Sequence, residues 1–272
     1  MIYENPSLHH PIKARKRQAS RTIKKIIDDQ GITYTESFDI MKVFTIHFRK
    51  KFSPIRMDGE SASLLMNCEL RRITQEMNAV LEDPITIDEL RNSISKGKSQ
   101  KAPGHDGIGL GFYKTEWEEM KHDLLQILNC MYMDGIILAR QLQGLIACIS
   151  KHAHPSKVDD YRPLILMNTD YKILTRIIAE RLKPILSTLL HQNQYCGIGG
   201  NSVFGAVAAI RVVIAYAEVT RKPICMVSID FIAAFDRISH EYLQEILGVH
   251  CVNVTFIQRT MGLYETASSE IR

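Results

Sequence analysis

The sequence predicts an α+β fold in which a mostly helical N-terminal segment precedes a mixed region of strands and helices. Residues 1–95 contain amphipathic patches with apolar residues at helical spacing and carry no chemical signature. Two short apolar runs, 145–150 and 224–229, are typical of buried strands. Between them, residues 172–190 place seven apolar side chains on one face of a helix.

The length and composition indicate a folded domain. A chain of 272 residues is long enough for one large domain or two small ones, and its 45% hydrophobic and 24% charged residues are typical of a protein with a core. No stretch reaches roughly 18 uninterrupted apolar residues, so we expect no membrane partner. The first residues lack the apolar centre of a secretory signal.

The cysteines and histidines do not indicate a zinc site. The six cysteines form no Cys-x-x-Cys pair, and His152 and His154 have no cysteine pair nearby. We therefore expect reduced thiols and an intracellular protein, with the nucleus and the cytoplasm both open.

The net charge of +4 is modest, but its distribution is uneven. No acidic residue lies between Asn5 and Ile27, whereas basic residues accumulate from Lys13 to Lys25. Such a run is compatible with binding to a phosphate backbone, with a nuclear localisation signal, or with a solvated helix face.

A change in composition marks the end of the helical lead-in, which we place at residues 1–95. Pro84 interrupts the helical spacing, and Thr86 is a candidate N-cap for a short helix that follows. Residues 96–107 then hold three lysines, three glycines and a proline. Because no Gly-x-x-x-x-Gly precedes Lys98-Ser99, this segment is not a P-loop. Pro103-Gly104 and Asp106-Gly107 predict two successive tight turns.

Two cations follow predicted strands in the next part of the chain. The apolar strand 145–150 leads to Lys151, and a polar connection leads to a second strand, 161–167, that carries Arg162. Arginine binds phosphate through a planar pair of donors and lysine as a mobile point charge. The two cations are therefore candidates for a triphosphate clamp, although each alone is also compatible with a simple surface charge.

The helix predicted at 172–190 contains Pro184, which we expect to kink or divide it. Arg176, Arg181 and Lys183 occupy its polar positions, where they are candidates for template-backbone contacts or for a solvated face.

A glycine-rich segment, Gln194–Ser202, precedes a second helical run from Val203 to Tyr216. Ser202 stands where a dinucleotide-binding loop requires its last glycine, and no strand precedes the segment, so dinucleotide binding is excluded.

The segment Ile224–His240 carries the most distinctive chemistry. An apolar run predicts a buried strand that ends at Asp230, and Phe235 and Asp236 follow after an apolar turn. A carboxylate at the end of a strand is often exposed, paired or bound to a metal, because burying it alone costs several kcal/mol. An ordinary solvated or helix-capping aspartate is the alternative for each of the two acids.

Four motifs in this order resemble the reverse transcriptases of non-LTR (LINE-type) retrotransposons. They are the turn Lys101–Gly107, the Tyr-Arg-Pro-Leu sequence that begins at Tyr161, the glycine-rich segment Gln194–Ser202, and the pattern Asp-x-x-x-Ala-Phe-Asp-x-Ile-x-His that begins at Asp230. Cys196 and Ile198 depart from the third motif, and Ile165–Met167 replaces the usual Ser-Leu-Leu after the second.

The resemblance implies a right-hand polymerase fold with fingers and a partial palm over residues 96–272. It implies an RNA template, a DNA primer and a deoxynucleoside triphosphate as partners, and Mg²⁺ as the cofactor. In the family's pattern Asp230 is a catalytic, metal-binding aspartate, and Phe235 excludes the ribose 2′-hydroxyl. Arg162 and Lys151 face the nucleotide phosphates, and Asp236 is structural, with a cap on the following helix as one candidate role.

The family's second metal-binding motif is missing from the sequence. Neither a Tyr-x-Asp-Asp hairpin nor the Gln-Gly-x-Pro-x-Ser turn before it occurs. One carboxylate does not hold two metal ions, so we expect a truncated domain that is inactive alone. Two alternatives stay open: a nucleic-acid-binding remnant that uses the basic run Lys13–Lys25, the Lys96–Lys101 loop and the fingers cations, and a degenerate, aggregation-prone product that exposes a sheet edge.

Overall fold

The computed structural model describes residues 22–53, 58–67, 70–231 and 233–271, and it shows the α+β fold that the sequence predicts. Residues 13–21 of the basic run lie outside the described residues. The ten α-helices of the described part are α1 (Ser37–Lys51), α2 (Gly59–Met66), α3 (Gln75–Glu82), α4 (Ile87–Lys96), α5 (Leu110–Thr115), α6 (Trp117–Met133), α7 (Thr169–Leu189), α8 (Val203–Thr220), α9 (His240–Val249) and α10 (Val254–Glu265).

Five strands form two small sheets. They are β1 (Ile26–Ile27), β2 (Thr33–Tyr34), β3 (Gln143–Ser150), β4 (Tyr161–Leu166) and β5 (Ser268–Ile271). β1 and β2 pair antiparallel, with Ile26 opposite Tyr34. In the other sheet β3 is the central strand, between β4 and β5.

The chain divides into two compact units, and the first comprises residues 1–53, 146–164 and 271–272. Its core forms around α1, which buries Ile40, Phe44 and Phe48 at spacings of four residues, so that all three lie on one helix face. The Phe44 ring meets Tyr161 edge-on, with the ring centroids 5.3 Å apart.

The second unit comprises residues 54–145 and 165–270, and its core lies among the helices. α7 buries the apolar face that the sequence predicts, including Leu174, Ile177 and Ile185. Of the two expected effects of Pro184, a kink or a division, the division does not occur, because the helix continues from Thr169 to Leu189. Pro184 itself is exposed, where its missing N–H does not leave a buried group unpaired.

A reciprocal capping box starts α4, as Thr86 predicts. The Thr86 hydroxyl accepts from the Glu89 N–H at 3.3 Å, and the Glu89 carboxylate accepts from the Thr86 N–H at 2.9 Å. These bonds satisfy donors that the first turn of a helix otherwise leaves unpaired.

Side chains from three other helices bind the connection between α3 and α4. Five successive carbonyls, from Leu81 and Glu82 at the end of α3 to Ile85 in the connection, each accept a hydrogen bond from a distant side chain: Tyr132 Oη donates to Leu81, Arg259 Nη1 to Glu82, Arg181 Nη1 to Asp83, Arg181 Nη2 to Pro84 and Asn129 Nδ2 to Ile85. The end of α3 has no intrahelical partners for its last carbonyls, so these donors complete it. The connection therefore joins α6, α7 and α10 to the α3–α4 pair.

Arg181 donates hydrogen bonds to a carboxylate as well as to two of these carbonyls. Its guanidinium binds both oxygens of Glu89, with Nε–Oε1 at 2.6 Å and Nη2–Oε2 at 2.8 Å, and it packs over the Tyr132 ring. Burial opposes ionisation of Glu89, but the hydrogen bonds from Arg181 and Thr86 outweigh it and hold the pKa of Glu89 below its usual value. Arg181 is only 6% exposed. It is therefore neither available for contact with a template backbone nor part of a solvated helix face, the two roles that its position in the sequence predicts.

α8 differs from the other long helices because none of its residues is buried. In the part of the chain that the structure describes, it alone is long and apolar enough to cross a membrane by length and composition. Arg211 lies near its centre, where a charge costs about 2.5–3.5 kcal/mol on insertion. The apolar surface of α8 is therefore better explained as a packing face than as a membrane span.

We predict that Arg181→Met strongly destabilises the fold. The substitution leaves Glu89 and the carbonyls of Asp83 and Pro84 without their donor, and loss of one partner of a buried ion pair costs about 3–5 kcal/mol. Urea unfolding followed by circular dichroism measures the effect.

The matched control is Lys183→Met, two residues along the same helix. Lys183 is exposed and pairs with Glu180 on the surface, so its loss is expected to change the free energy of unfolding by less than about 0.5 kcal/mol. Equal effects of the two substitutions would contradict the role given to Arg181.

Candidate functional site

The segment before Asp230 does not form the buried strand that the sequence predicts. Residues 222–231 are exposed and have no strand assignment, and Val227, Ile229 and Phe231 are each at least 74% exposed. A strand needs a neighbour for its N–H and C=O groups, and no strand of the described residues pairs with this segment. The carboxylate of Asp230 therefore lies on the exposed surface of the second unit.

Phe235 and Asp236 lie in the turn that follows. The Asp236 N–H donates to the carbonyl of Ala233 at 3.0 Å, and Ala233 has a left-handed φ of 52°. Phe235 is 94% exposed, so it is not a core residue. Ser239 is the N-cap of α9, where its hydroxyl accepts from the Tyr242 N–H at 3.0 Å, which corrects the expectation that Asp236 caps this helix.

Lys151 and Arg162 lie on two neighbouring strands of the first unit, as the sequence predicts. Lys151 directly follows β3, and Arg162 is the second residue of β4. The Lys151 N–H donates to the Asp160 carbonyl at 2.7 Å, and its ammonium group donates to the Asp159 carbonyl. Both side chains are exposed, and no ion pair involves Arg162 in the described part of the chain.

Asp160 shapes the connection between the two strands. Its carboxylate accepts from the N–H groups of Ser156 and Lys157, each at 2.8 Å, and lies 3.1 Å from His152 Nε2. The bonds from the Lys157 and Ser156 N–H groups, with His152, hold the pKa of Asp160 well below its usual range. The carboxylate thus stays ionised and fixes the turn from which Lys151 and Arg162 extend.

The turn Lys101–Gly107 packs against the start of α7. Gly107 has a φ of +73°, and its N–H donates to the Gly104 carbonyl at 3.3 Å, which confirms the second predicted turn. Gly104 approaches the backbone so closely that an added Cβ would lie 2.5 Å from the carbonyl carbon of Met167.

Asn168 holds this turn in place, and the sequence reasoning did not identify it. It is buried, its Oδ1 accepts from the Asp106 N–H at 3.4 Å, and its Nδ2 donates to the Arg140 carbonyl at 3.0 Å. An asparagine directly before a helix is a typical N-cap, and that position was the available signal. The turn is therefore a structural element that fixes the N-terminal end of α7.

The glycine-rich segment Gln194–Ser202 closes on itself. Asn201 Nδ2 donates to the Gln194 carbonyl at 2.7 Å, and Gly197 and Gly200 have φ angles of 80° and 88°. Tyr195 lies against Gly205, where a Cβ would come within 2.8 Å of the ring. These contacts determine how the segment leads into α8.

The predicted site residues are divided between the two units. Lys151 and Arg162 belong to the first unit, whereas Asp230 and Phe235 belong to the second. Among the described residues, no group of three or more His, Cys, Asp or Glu side chains is arranged to hold a metal ion. Asp230 therefore belongs to no cluster of three or more such side chains in this part of the chain.

The family comparison covers all four predicted site residues. Residues 149–269 match the family described as reverse transcriptase (RNA-dependent DNA polymerase). This part of the chain is therefore similar in sequence to RNA-directed DNA polymerases.

Three curated relatives specify the group. The chain is 26% identical, over 83% of its own length, to a transposon TX1 uncharacterized 149 kDa protein of Xenopus laevis. It is 30% identical, over 65% of its own length, to the RNA-directed DNA polymerase from mobile element jockey of Drosophila funebris. It is 23% identical, over 88% of its own length, to the probable RNA-directed DNA polymerase from transposon X-element of Drosophila melanogaster. The chain is thus similar to polymerases of transposons and other mobile elements. The matches span only 17%, 19% and 26% of the lengths of these relatives.

We predict that Gly104→Ala destabilises the second unit by about 1–3 kcal/mol, because the added methyl group overlaps the backbone of Met167 and Asn168. Gly109→Ala is the matched control, since its Cβ would meet nothing within 4 Å. Thermal unfolding of both variants measures the difference. If Gly104→Ala is as stable as Gly109→Ala, the close docking of this turn is wrong.

Proposed function

We propose that residues 96–272 form the fingers and the first part of the palm of a retrotransposon RNA-directed DNA polymerase, and that residues 1–95 are a lead-in to this region. The observation that carries this proposal is the reverse transcriptase match over 149–269, which contains Lys151, Arg162 and Asp230 in the order of the family's motifs. The proposed partners are an RNA template, a DNA primer and a deoxynucleoside triphosphate. We place the protein inside the cell, in the nucleus or the cytoplasm.

Arg162 is the principal phosphate ligand in this proposal. Its guanidinium is exposed at the second position of β4, and the strand holds its backbone while the side chain remains available. Lys151 contributes a second charge, although its ammonium group also bonds the Asp159 carbonyl. A planar guanidinium next to a mobile ammonium suits the several oxygens of a triphosphate.

Asp230 and Phe235 act on the substrate side of the second unit in this proposal. Both are exposed, so a nucleotide or a primer terminus can reach them. The aromatic ring of Phe235 is the candidate selector against a ribose 2′-hydroxyl, and Asp230 is the candidate catalytic carboxylate.

The carboxylates that this chain brings together do not fit a two-Mg²⁺ centre. Mg²⁺ requires near-octahedral oxygen ligands, and a two-metal site requires several clustered carboxylates. The described residues hold no such cluster, and the sequence has no Tyr-x-Asp-Asp motif. We therefore propose that this chain binds substrates but does not polymerise by itself.

We predict that Arg162→Gln weakens binding of a deoxynucleoside triphosphate by roughly tenfold or more, because a charged hydrogen bond contributes about 1.5–3 kcal/mol. Isothermal titration with unlabelled triphosphate measures the dissociation constant. Arg49→Gln, an exposed arginine on α1 of the same unit, is the matched control and is expected to bind normally. Loss of affinity in both variants to the same extent would contradict the specific role of Arg162.

We predict that the purified chain does not extend a primed RNA template in the presence of Mg²⁺ and deoxynucleotides, since its sequence holds no Tyr-x-Asp-Asp motif to supply the further carboxylates. A gel-based primer extension assay checks this, with an unrelated reverse transcriptase as the positive control. Extension that disappears in Asp230→Asn would show that the chain is catalytic after all.

A further inference from the structure

α9 and α10 border a groove on the surface of the second unit. The groove has a volume of about 420 Å³, which is within the range of roughly 300–1,000 Å³ that is typical of ligand sites in proteins. Its apolar lining consists of Val252 in the turn between the helices and of Val254 and Ile257 at the start of α10. Val252 and Ile257 belong to the buried core of the unit, whereas Val254 is 61% exposed. The groove therefore has an apolar base that the core holds in place.

The opposite wall of the groove is one side of α9, and it is acidic. Glu241, Gln244, Glu245 and Gly248 line it at spacings of three and four residues, as residues on the same side of a helix do. Both glutamates are exposed, and neither forms an ion pair within the part of the chain that the structure describes. Like charges four residues apart on a helix repel one another. No basic side chain of the described residues lines the groove to balance these two charges.

Gly248 keeps the end of this wall free of a side chain. A Cβ added to Gly248 would meet nothing within 4 Å, so the packing of the described residues does not require a glycine there. A glycine within a helix is also less favourable than an alanine, because it loses more conformational freedom on folding. The glycine therefore lowers the stability of α9 and leaves open space beside the two glutamates.

We propose that this groove is a docking site for an arginine side chain on a peptide segment of a protein partner. The aliphatic stem of arginine packs on apolar surface while its charged end stays near water, which suits a base of valine and isoleucine below exposed carboxylates. The planar guanidinium donates paired hydrogen bonds to carboxylates and would offset the repulsion between Glu241 and Glu245. These residues take no part in the nucleotide proposal, so the inference holds whether or not the chain polymerises.

Other classes of ligand fit the groove less well. Two carboxylates repel a phosphate or an acidic peptide, and a purely apolar ligand would cover them without offering a hydrogen bond. Mg²⁺ requires a near-octahedral set of oxygen ligands, whereas Glu241, Gln244 and Glu245 supply the only side-chain oxygens among the described residues that line the groove. An arginine uses both the charge and the apolar base.

The first test fills the groove. Gly248→Leu places a branched apolar side chain in the open space, and Gly262→Leu is the matched control in α10. A Cβ at Gly262 would likewise meet nothing within 4 Å, and Gly262 does not line the groove. The probe is a short fluorescent peptide in which arginines alternate with leucine and alanine, and its counterpart carries uncharged citrulline in place of arginine. Fluorescence anisotropy gives the dissociation constants, and circular dichroism verifies that each variant folds.

We expect Gly248→Leu to bind the arginine peptide at least about tenfold more weakly than the unaltered chain, because the leucine excludes the side chain and its charged hydrogen bonds. Gly262→Leu should bind it normally. The citrulline peptide should bind weakly to all three proteins.

The second test removes the charge and leaves the groove open. Glu241→Gln/Glu245→Gln should weaken binding of the arginine peptide by roughly tenfold and make it less sensitive to sodium chloride, because ion pairs at a surface are screened by salt. The matched control is Glu116→Gln/Glu119→Gln, which removes two exposed acids at the start of α6 and should leave binding unchanged.

Three results would overturn the proposal. Equal dissociation constants for Gly248→Leu and Gly262→Leu would show that the peptide does not occupy the groove. Equal affinity of the unaltered chain for the arginine and citrulline peptides would show that no guanidinium is recognised. Displacement of the peptide by calcium chloride, but not by sodium chloride of the same ionic strength, would identify a divalent cation as the ligand. None of these results bears on Arg162, whose triphosphate titration tests the polymerase proposal separately.

Discussion

The fold of the second unit depends on hydrogen bonds that distant side chains donate to the backbone carbonyls at the end of α3 and in the α3–α4 connection. A helix end exposes carbonyls that have no partner in the helix, and inside a protein each unpaired group costs about 1–3 kcal/mol. Here the donors come from residues that are 44 to 177 positions away in the chain, and Arg181 supplies two of them while it also neutralises Glu89. The connection is complete only when α6, α7 and α10 are all in place, so these helices assemble as one core.

The segment that contains the candidate catalytic residue Asp230 lies outside that core. α8 has no buried residue, and the segment that leads to Asp230 is extended and exposed. Both have mostly apolar sequences suited to burial, yet α8 buries none of its residues and no strand of the described residues pairs with the segment before Asp230. A carboxylate at the end of an unpaired segment is held by its own turn alone, which is a weaker constraint than a sheet. The backbones of Lys151 and Arg162, at the end of β3 and in β4, are therefore held more firmly than that of Asp230.

Three cations of α7 have structural tasks. Arg181 binds Glu89 and the carbonyls of Asp83 and Pro84, and it thereby fixes the α3–α4 connection. Arg176 donates to the Ser93 carbonyl in α4, and Lys172 donates to the Ala102 carbonyl in the α4–α5 connection. The basic side chains of one helix therefore hold several other segments of the second unit against it.

Local features were readable in the sequence. Residues that are close in the chain determine the capping box of Thr86 and Glu89, the apolar face of α7 and the strand positions of Lys151 and Arg162. The same holds for the motifs that resemble those of non-LTR reverse transcriptases. The tertiary structure decided the rest. The burial of Arg181, the docking of Gly104 on Asn168 and the absence of a strand before Asp230 depend on distant partners. Spacing along the chain shows what a side chain can do, but only the fold determines whether a partner is within hydrogen-bonding distance.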